Sequence, residues 1–189
     1  MAVSATAPFS PMPPAPPSGV WTYEDYAAIP DDGHRYEVLG GRLIRLHGMS
    51  PAPRIQHQEV VGAVYAALRS HVRARGAGLA LVAPVDVVLA EERLGIIGDT
   101  KCEGPPDLVV EVLSESTRRK DVGEKREAYA AAGVREYWII DPAARAVDVL
   151  SLRTGRSYER VLELDMRSDQ LLTSPLLPGF SLALADLFG

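Results

Sequence analysis

One stretch of the sequence, residues 105–114, places unusual demands on any fold that contains it. It reads PPDLVVEVLS, and its aliphatic and β-branched side chains are typical of a strand that is buried on both faces. It also contains two acids, Asp107 and Glu111, which lie four residues apart and therefore on one face of a strand. Because an unpaired buried carboxylate is costly, we expect these acids to be neutralised, paired or bound to a metal.

The length and composition favour one globular domain. The chain has 189 residues, of which 47% are hydrophobic and 24% are charged. We predict a single domain over residues 20–189, preceded by a disordered leader, rich in Pro and Ala, at residues 1–19. The single cysteine, Cys102, excludes an internal disulfide. A single cysteine also fits a reducing cytoplasm, so we predict a cytoplasmic protein. No apolar run approaches the roughly 20 residues that span a bilayer, so we predict no membrane part.

The charge distribution limits any role in nucleic-acid binding. The formal net charge is −5, so no overall positive field attracts nucleic acid. Local contacts to phosphate would depend on the cationic run Arg118-Arg119-Lys120. Such a run is usually only a solvated face, and by itself it decides nothing.

The order of the sequence patterns predicts an α/β or α+β domain with a mixed central β-sheet flanked by helices. A hairpin is expected around Gly40-Gly41, because two glycines fit a two-residue hairpin loop. The predicted elements, in chain order, are a short helix capped by Thr22, strands 35–39 and 42–46, helix 54–75, strands 79–89 and 107–114, helix 121–133, strand 135–140, and a hairpin of 146–152 with 157–164.

Two polar residues in the first half of the chain have alternative interpretations. Glu37 lies opposite Ile44 in the predicted hairpin and is its one acid among apolar neighbours. It belongs either to a site or to a sheet edge where its carboxylate reaches water, and the two readings have equal weight. His57, in the first turn of the long helix, could touch a site, but a lone His on a packing face is more often structural.

The acids of the central stretch need a partner from elsewhere to bind a metal. Residues four apart on a strand are separated by about 13 Å, which is too far for Asp107 and Glu111 to share one ion unless the strand bends. Asp86 is the best placed further acid, since its strand precedes by one connection. If the two strands pair antiparallel, Asp86 and Glu111 lie side by side.

The helix that follows the strand adds a cation. Asp121 is expected to cap this helix, with Glu124 at the third helical position. At helical spacing Val122, Lys125 and Tyr129 share one face, which should look at the sheet. The Lys125 ammonium would then point toward the acids and could stabilise charge on a phosphate or orient water. The alternative is a buried stem with its charged end in water.

These residues also resemble a known family. The segments that carry the resemblance are Gly104–Ser114, Ser116-Thr117, Asp121 to Lys125, Tyr129, Gly133 and Glu136 to Pro142, with Tyr36-Glu37, His57-Gln58 and Pro84 to Val87 upstream. Together they look like the Uma-two-type restriction endonuclease family of the PD-(D/E)XK nuclease superfamily. The resemblance runs from about Thr22 to Leu152.

The resemblance implies a restriction-endonuclease-like fold and Mg²⁺-dependent (or Mn²⁺-dependent) hydrolysis of nucleic acid, with DNA as the expected substrate and homodimers as the expected assembly. Glu111 matches the acid of the E-x-K half-motif, but Leu113 stands where its lysine would be. Lys125, from the next helix, matches the lysine of this family. Glu37 matches an acid contributed by the N-terminal part.

One departure from the family pattern concerns the metal site. Relatives carry a further strand with Pro-Asp after the equivalent of Asp86, and that strand brings a metal-binding Asp. Here Leu89 runs through Ala90-Glu91-Glu92 without it. Either Asp86 or Asp107 takes that role, or the protein is a catalytically inactive nuclease fold acting in nucleic-acid binding or self-association. Hydrolysis of a smaller phosphoester is a third possibility.

Overall fold

The computed structural model describes residues 11–46, 55–89, 96–97, 101–154, 156–167 and 169–189, without the side chains of residues 46, 96 and 97. The chain divides into two compact units, residues 1–49 and 50–189, and each is described by itself. The first ten residues of the predicted leader lie outside the described part. The single domain over residues 20–189 stays a prediction.

The N-terminal unit consists of a short helix and a hairpin. Helix α1 (Tyr23–Ala27) begins at Thr22, whose hydroxyl and backbone N–H form a reciprocal capping box with Asp25, as predicted. Strands β1 (Arg35–Leu39) and β2 (Arg42–Leu46) pair antiparallel.

The hairpin register confirms the sequence pattern. Glu37 pairs with Ile44, and the loop residues Gly40 and Gly41 have φ angles of 57° and 73°. Both angles lie in the left-handed region that a type I′ turn requires, and glycine occupies this region without strain.

The C-terminal unit is built on a four-stranded sheet with the order β6-β7-β8-β9. Its strands are β6 (Leu108–Val112), β7 (Glu136–Asp141), β8 (Ala146–Arg153) and β9 (Ser157–Asp165). The first pair is parallel and the other two pairs are antiparallel. The predicted mixed sheet and the α+β fold class are therefore confirmed.

One face of this sheet packs against the long helix α2 (Ile55–Arg75) and the C-terminal helix α5 (Leu184–Phe188). The helix buries Val60, Val64, Leu68 and Val72, a spacing of four residues that keeps them on one side. Val60, Val64 and Leu68 pack with Trp138 and Ile140 of β7, with strand β8, and with the segment that carries β10 (Leu171–Thr173) and β11 (Ser181–Ala183).

The opposite face packs against the helical segment that follows β6. This segment is one turn of α-helix, α3 (Arg118–Lys120), then a π-helical turn over Asp121–Lys125, then helix α4 (Arg126–Ala132). Its contacts form a second apolar cluster with Tyr137, Ile139, Leu150 and Tyr158 of the sheet. The sheet therefore separates two cores.

A small second sheet differs from the prediction for residues 79–89. Only β3 (Asp86–Val88) is a strand there, and it pairs parallel with β5 (Lys101–Glu103), which also pairs with β4 (Ile96–Ile97). Leu79, Leu81 and Val82 are exposed, so this apolar run does not enter a core strand. The antiparallel pairing that would place Asp86 beside Glu111 is not found among the described residues, where β3 pairs with β5 and the Glu111 strand pairs with the strand Glu136–Asp141.

Membrane insertion through a helix finds no support in the described part of the chain, where every helix is too short or too polar for a membrane span.

Candidate functional site

Strand β6 divides its side chains between the two cores. Leu108, Val110 and Val112 pack toward helix α2, whereas Val109 and Leu113 pack toward helix α4. Glu111 falls on the α4 side because side chains alternate along a strand. A carboxylate therefore enters an otherwise apolar interface between sheet and helix.

The helix opposite Glu111 is positioned by the loop before it. The Ser114 hydroxyl accepts from the Thr117 backbone N–H at 3.3 Å and lies 2.9 Å from the Thr117 hydroxyl, which fixes the chain as it leaves β6. The helix starts at Arg118, so Asp121 lies inside it and the prediction of Asp121 as the cap is wrong. The segment is not one continuous α-helix, because a π-helical turn separates α3 from α4.

The π-helical turn changes which residues face the sheet. Val122, expected on the inner face with Lys125 and Tyr129, is 40% exposed, whereas Asp121 is only 1% exposed. A π turn holds one more residue than an α turn, which displaces the α-helical stripe. Asp121, rather than Val122, therefore joins Lys125 on the buried side.

Lys125 and Tyr129 both contact the carboxylate of Glu111. The Lys125 Nζ atom lies 3.0 Å from Glu111 Oε1, and the Tyr129 hydroxyl donates to the same oxygen at 3.0 Å. The side chains of Lys125 and Glu111 are 15% and 21% exposed. The structure thus brings together the two residues that the sequence placed at the centre of the site, and adds Tyr129 as a hydrogen-bond donor.

Burial raises the pKa of the Glu111 carboxyl above its ordinary value, and the negative charge of Asp121 acts in the same direction. The Lys125 ammonium and the Tyr129 hydroxyl oppose this shift without cancelling it. Glu111 is therefore a carboxylate whose charge is incompletely compensated by its neighbours.

Asp121 is the deepest charged group of the site. Lys125 Nζ lies 3.2 Å from its Oδ1 atom, an ion pair without the alignment of a hydrogen bond. Neither carboxylate oxygen accepts a hydrogen bond from any residue that the structure describes. Lys125 thus stands between two acids, Glu111 toward the surface and Asp121 behind it.

Two tyrosines of the sheet, Tyr137 and Tyr158, pack against the helical segment that carries Tyr129. Tyr137 of β7 donates a 2.8 Å hydrogen bond to the backbone carbonyl of Asp121, in the π-helical turn. Its ring contacts Tyr129 and Tyr158 at centroid distances of 5.3 and 5.8 Å. Burial raises the pKa of Tyr137 far above its ordinary value, so this hydroxyl stays a donor.

Asp107 and Asp86, two of the acids predicted to bind metal, occupy different surroundings from Glu111. Asp107 precedes β6, its side chain is 59% exposed, and its Oδ1 lies 3.4 Å from Arg135 Nη1. Asp86 lies in the three-stranded sheet, opposite Lys101. Their roles as metal ligands stay predictions.

Glu37 is half-buried in strand β1 of the N-terminal unit, and its place in the pocket also stays a prediction. The cationic run at Arg118 to Lys120 forms α3, where Arg118 pairs with Asp141 at the end of β7. Arg119 is exposed.

The donor set at Glu111 fits a magnesium ion only in part. Mg²⁺ prefers oxygen ligands and is often bound by one or two carboxylates together with water and phosphate oxygens. Glu111 is a partly exposed carboxylate of this kind. Over the described ranges no group of three or more His, Cys, Asp or Glu side chains lies close enough together to hold one metal ion.

Known proteins resemble this chain in sequence and in fold. A family model described as Uma2, "Putative restriction endonuclease", matches residues 23–185. The chain belongs to the Uma2 family. The match includes Glu111, Asp121, Lys125 and Tyr129, and none of the curated proteins matches the chain.

A solved structure has the same fold as this Uma2 family member. It is described as a "putative nuclease belonging to DUF820" from Anabaena variabilis. The two chains are 19% identical, the match covers 89% of this chain and 97% of the other, and the TM-score is 0.67. The restriction-endonuclease-like fold class predicted from the sequence is therefore confirmed.

Proposed function

We propose that this protein is a metal-dependent nuclease that hydrolyses phosphodiester bonds of nucleic acid, with DNA as the expected substrate and Mg²⁺ or Mn²⁺ as the cofactor. The observation that carries the proposal is the partly buried contact between Glu111 and Lys125. The family description and the name of the structural neighbour support the same class of reaction.

Each site residue has a distinct task in this proposal. A bound Mg²⁺ ion would polarise the phosphate and lower the pKa of a coordinated water. Glu111 supplies a carboxylate for the ion, and the Lys125 ammonium beside it stabilises negative charge that develops on the phosphate. Tyr129 fixes the Glu111 side chain through its hydrogen bond. Asp86, Asp107 and Glu37 are candidates for the further acid.

The proposal is tested with supercoiled plasmid DNA, single-stranded DNA and RNA, each incubated with purified protein and Mg²⁺ or Mn²⁺. We expect metal-dependent cleavage that falls by about 100-fold or more in Glu111→Gln and in Lys125→Met. Glu127→Gln is the matched control, because Glu127 is an exposed acid on helix α4, two residues after Lys125 in the chain. Circular dichroism verifies that each variant is folded. Absence of cleavage of every substrate by the wild-type protein contradicts the proposal, and so does undiminished cleavage by both site variants.

A second candidate function is nucleic-acid binding without hydrolysis. It is favoured by the absence of a three-ligand acidic group within the described residues. Calorimetric titration with Mn²⁺ separates the two candidates. A nuclease should bind the ion in a way that Glu111→Gln abolishes, whereas an inactive member should show no carboxylate-dependent heat. Homodimer formation and a cytoplasmic location stay predictions from the sequence.

A further inference from the structure

We propose that Asp121 is a positioning residue that holds the Lys125 ammonium against Glu111. The inference rests on the proposed function, because it assigns a role within the same site. Three observations carry it: the 3.2 Å ion pair between Asp121 and Lys125, the 3.0 Å contact between Lys125 and Glu111, and the nearly complete burial of Asp121.

The depth of Asp121 excludes it as a direct ligand of a hydrated ion. Mg²⁺ dehydrates reluctantly and usually keeps several waters when a protein binds it. Asp121 is 1% exposed, and both of its carboxylate oxygens are buried, so a hydrated ion has no access to them. Glu111 is 21% exposed and lies on the accessible side of Lys125. The two acids therefore differ in role: Glu111 is available to a ligand, whereas Asp121 contacts, among the charged side chains that the structure describes, the Lys125 ammonium.

The surroundings of Asp121 are poor for stability alone. A buried carboxylate is normally compensated by several hydrogen bonds, and a single ion pair rarely offsets the loss of its hydration. Here neither oxygen accepts a hydrogen bond from the described part of the chain. A neutral side chain of the same shape would fit this position at lower cost. A charged group that the packing does not need is consistent with a role in the site.

The backbone of Asp121 is held independently of its carboxylate. Tyr137 donates its hydroxyl hydrogen to the Asp121 carbonyl, which ties the π-helical turn to strand β7. The turn should therefore survive replacement of the side chain. What changes on replacement is the environment of Lys125, a long side chain that loses rotational freedom when its ammonium is fixed. Without Asp121, the Lys125 ammonium loses the charge behind it, so its contact with Glu111 is no longer fixed and the side chain regains rotational freedom.

The small number of lysines makes this inference directly measurable. The sequence contains three, Lys101, Lys120 and Lys125. Acylation by an amine-reactive ester can be followed at each of them by mass spectrometry, and Lys101 and Lys120 serve as references within the same molecule. The measured quantity is the acylation rate of Lys125 relative to these two, a readout that requires neither metal nor activity.

We expect the relative rate at Lys125 to rise roughly five-fold in Asp121→Asn, which corresponds to the loss of about one ion-pair contact. Glu127→Gln, the exposed control on the same helix, should leave it unchanged. Asp121→Ser is measured in parallel, so that one folded variant is sufficient. An unchanged rate in a folded Asp121 variant overturns the proposal. Failure of both variants to fold also overturns it, because the carboxylate would then be needed for the fold itself.

Binding and kinetic measurements distinguish positioning from metal ligation. In Asp121→Asn we expect unchanged Mn²⁺ affinity by calorimetry, a kcat for DNA cleavage about ten-fold lower, and a KM within about two-fold of wild type. Loss of Mn²⁺ binding, as expected for Glu111→Gln, would make Asp121 a ligand and overturn the positioning role. If the wild-type protein cleaves nothing, the proposed function fails, while the acylation rates still decide whether Asp121 holds Lys125.

Discussion

Glu111, which is half-buried, and Glu136, which is fully buried, are acids on neighbouring strands, and their hydrogen-bond donors give them different roles. Glu136 is 1% exposed, and its two oxygens accept from Trp138 Nε1 at 2.6 Å and from the Leu176 backbone N–H at 3.1 Å. Both donors belong to the scaffold, so Glu136 connects strand β7 to the C-terminal segment. The donors to Glu111 are Lys125 and Tyr129, on a helix across an interface. The donors, more than the degree of burial, distinguish a structural acid from a site acid.

Asp141 provides a pH-dependent contribution to stability away from the site. It accepts from Arg118 and from the backbone N–H groups of Ala143 and Ala144 in the turn after β7. Burial raises the pKa of Asp141, but these donors outweigh burial and hold it below the ordinary value of 3.8. A carboxylate with a lowered pKa stabilises the fold above its unfolded-state pKa, and this stability is lost as the pH falls through its folded-state pKa.

We therefore predict that Asp141→Asn lowers the free energy of unfolding by about 2 kcal/mol at pH 7. The difference from wild type should shrink as the pH falls below about 4. Urea denaturation at a series of pH values measures both quantities. A difference that is constant from pH 7 to pH 3 would show that the charge of Asp141 contributes nothing.

The helical segment after β6 shows how much of an element the sequence can reveal. The 3.6-residue pattern predicted a helix with Lys125 facing Glu111, and this contact is present. The pattern did not reveal the π-helical turn, because a single wider turn leaves no change in hydrophobic periodicity over so short a segment. Asp121 was consequently assigned as a cap, whereas it is the deepest acid of the site. The one available signal was its spacing of four residues from Lys125, which allows an ion pair along a helix.

Two glycines in helical segments should respond to alanine in opposite ways. Gly133 ends helix α4 with a φ angle of 86°, a left-handed conformation that strains alanine, so Gly133→Ala should lose about 1 kcal/mol of unfolding free energy. Gly62 lies within helix α2, has no positive φ, and has open space where a Cβ would lie, so Gly62→Ala should gain roughly 0.5–1 kcal/mol. Thermal and urea unfolding measure both changes. Equal effects of the same sign would contradict the backbone argument.

At the scale of the whole C-terminal unit, the sheet separates stability from the site. The face toward α2 and α5 packs into the larger apolar cluster. The opposite face carries Glu111, and the helical segment packed on that face carries Lys125 and Asp121 beside the smaller apolar cluster. Sequence patterns predicted the mixed sheet, the long helix and the hairpins, since each has strong local periodicity. The pairing of β3 with β5 was not predictable, because the choice of a partner strand depends on contacts between distant residues.

A substitution in helix α5 tests whether the two faces of the sheet are independent of each other. Leu187 is 2% exposed within the larger cluster, so Leu187→Ala should lower the free energy of unfolding by about 2–5 kcal/mol. Leu171→Ala is the control, because Leu171 is 47% exposed and its truncation should cost less than about 0.5 kcal/mol. The relative acylation rate of Lys125 should be the same in both folded variants. A changed rate in Leu187→Ala would show that the two faces of the sheet are coupled.

The π-helical turn decides where a change in chain length is tolerated in this site. A π turn is one residue longer than the α turn it replaces, so it is equivalent to a single-residue insertion in a regular helix. Deletion of Gly123 would restore regular α geometry and leave Asp121 three residues before Lys125, a spacing that keeps both on one face of a helix. Deletion of a residue between Lys125 and Tyr129, where the helix is already regular, would instead rotate Tyr129 by about 100° relative to Lys125. In-frame loss of one codon is therefore less severe in the π-helical turn than directly after it.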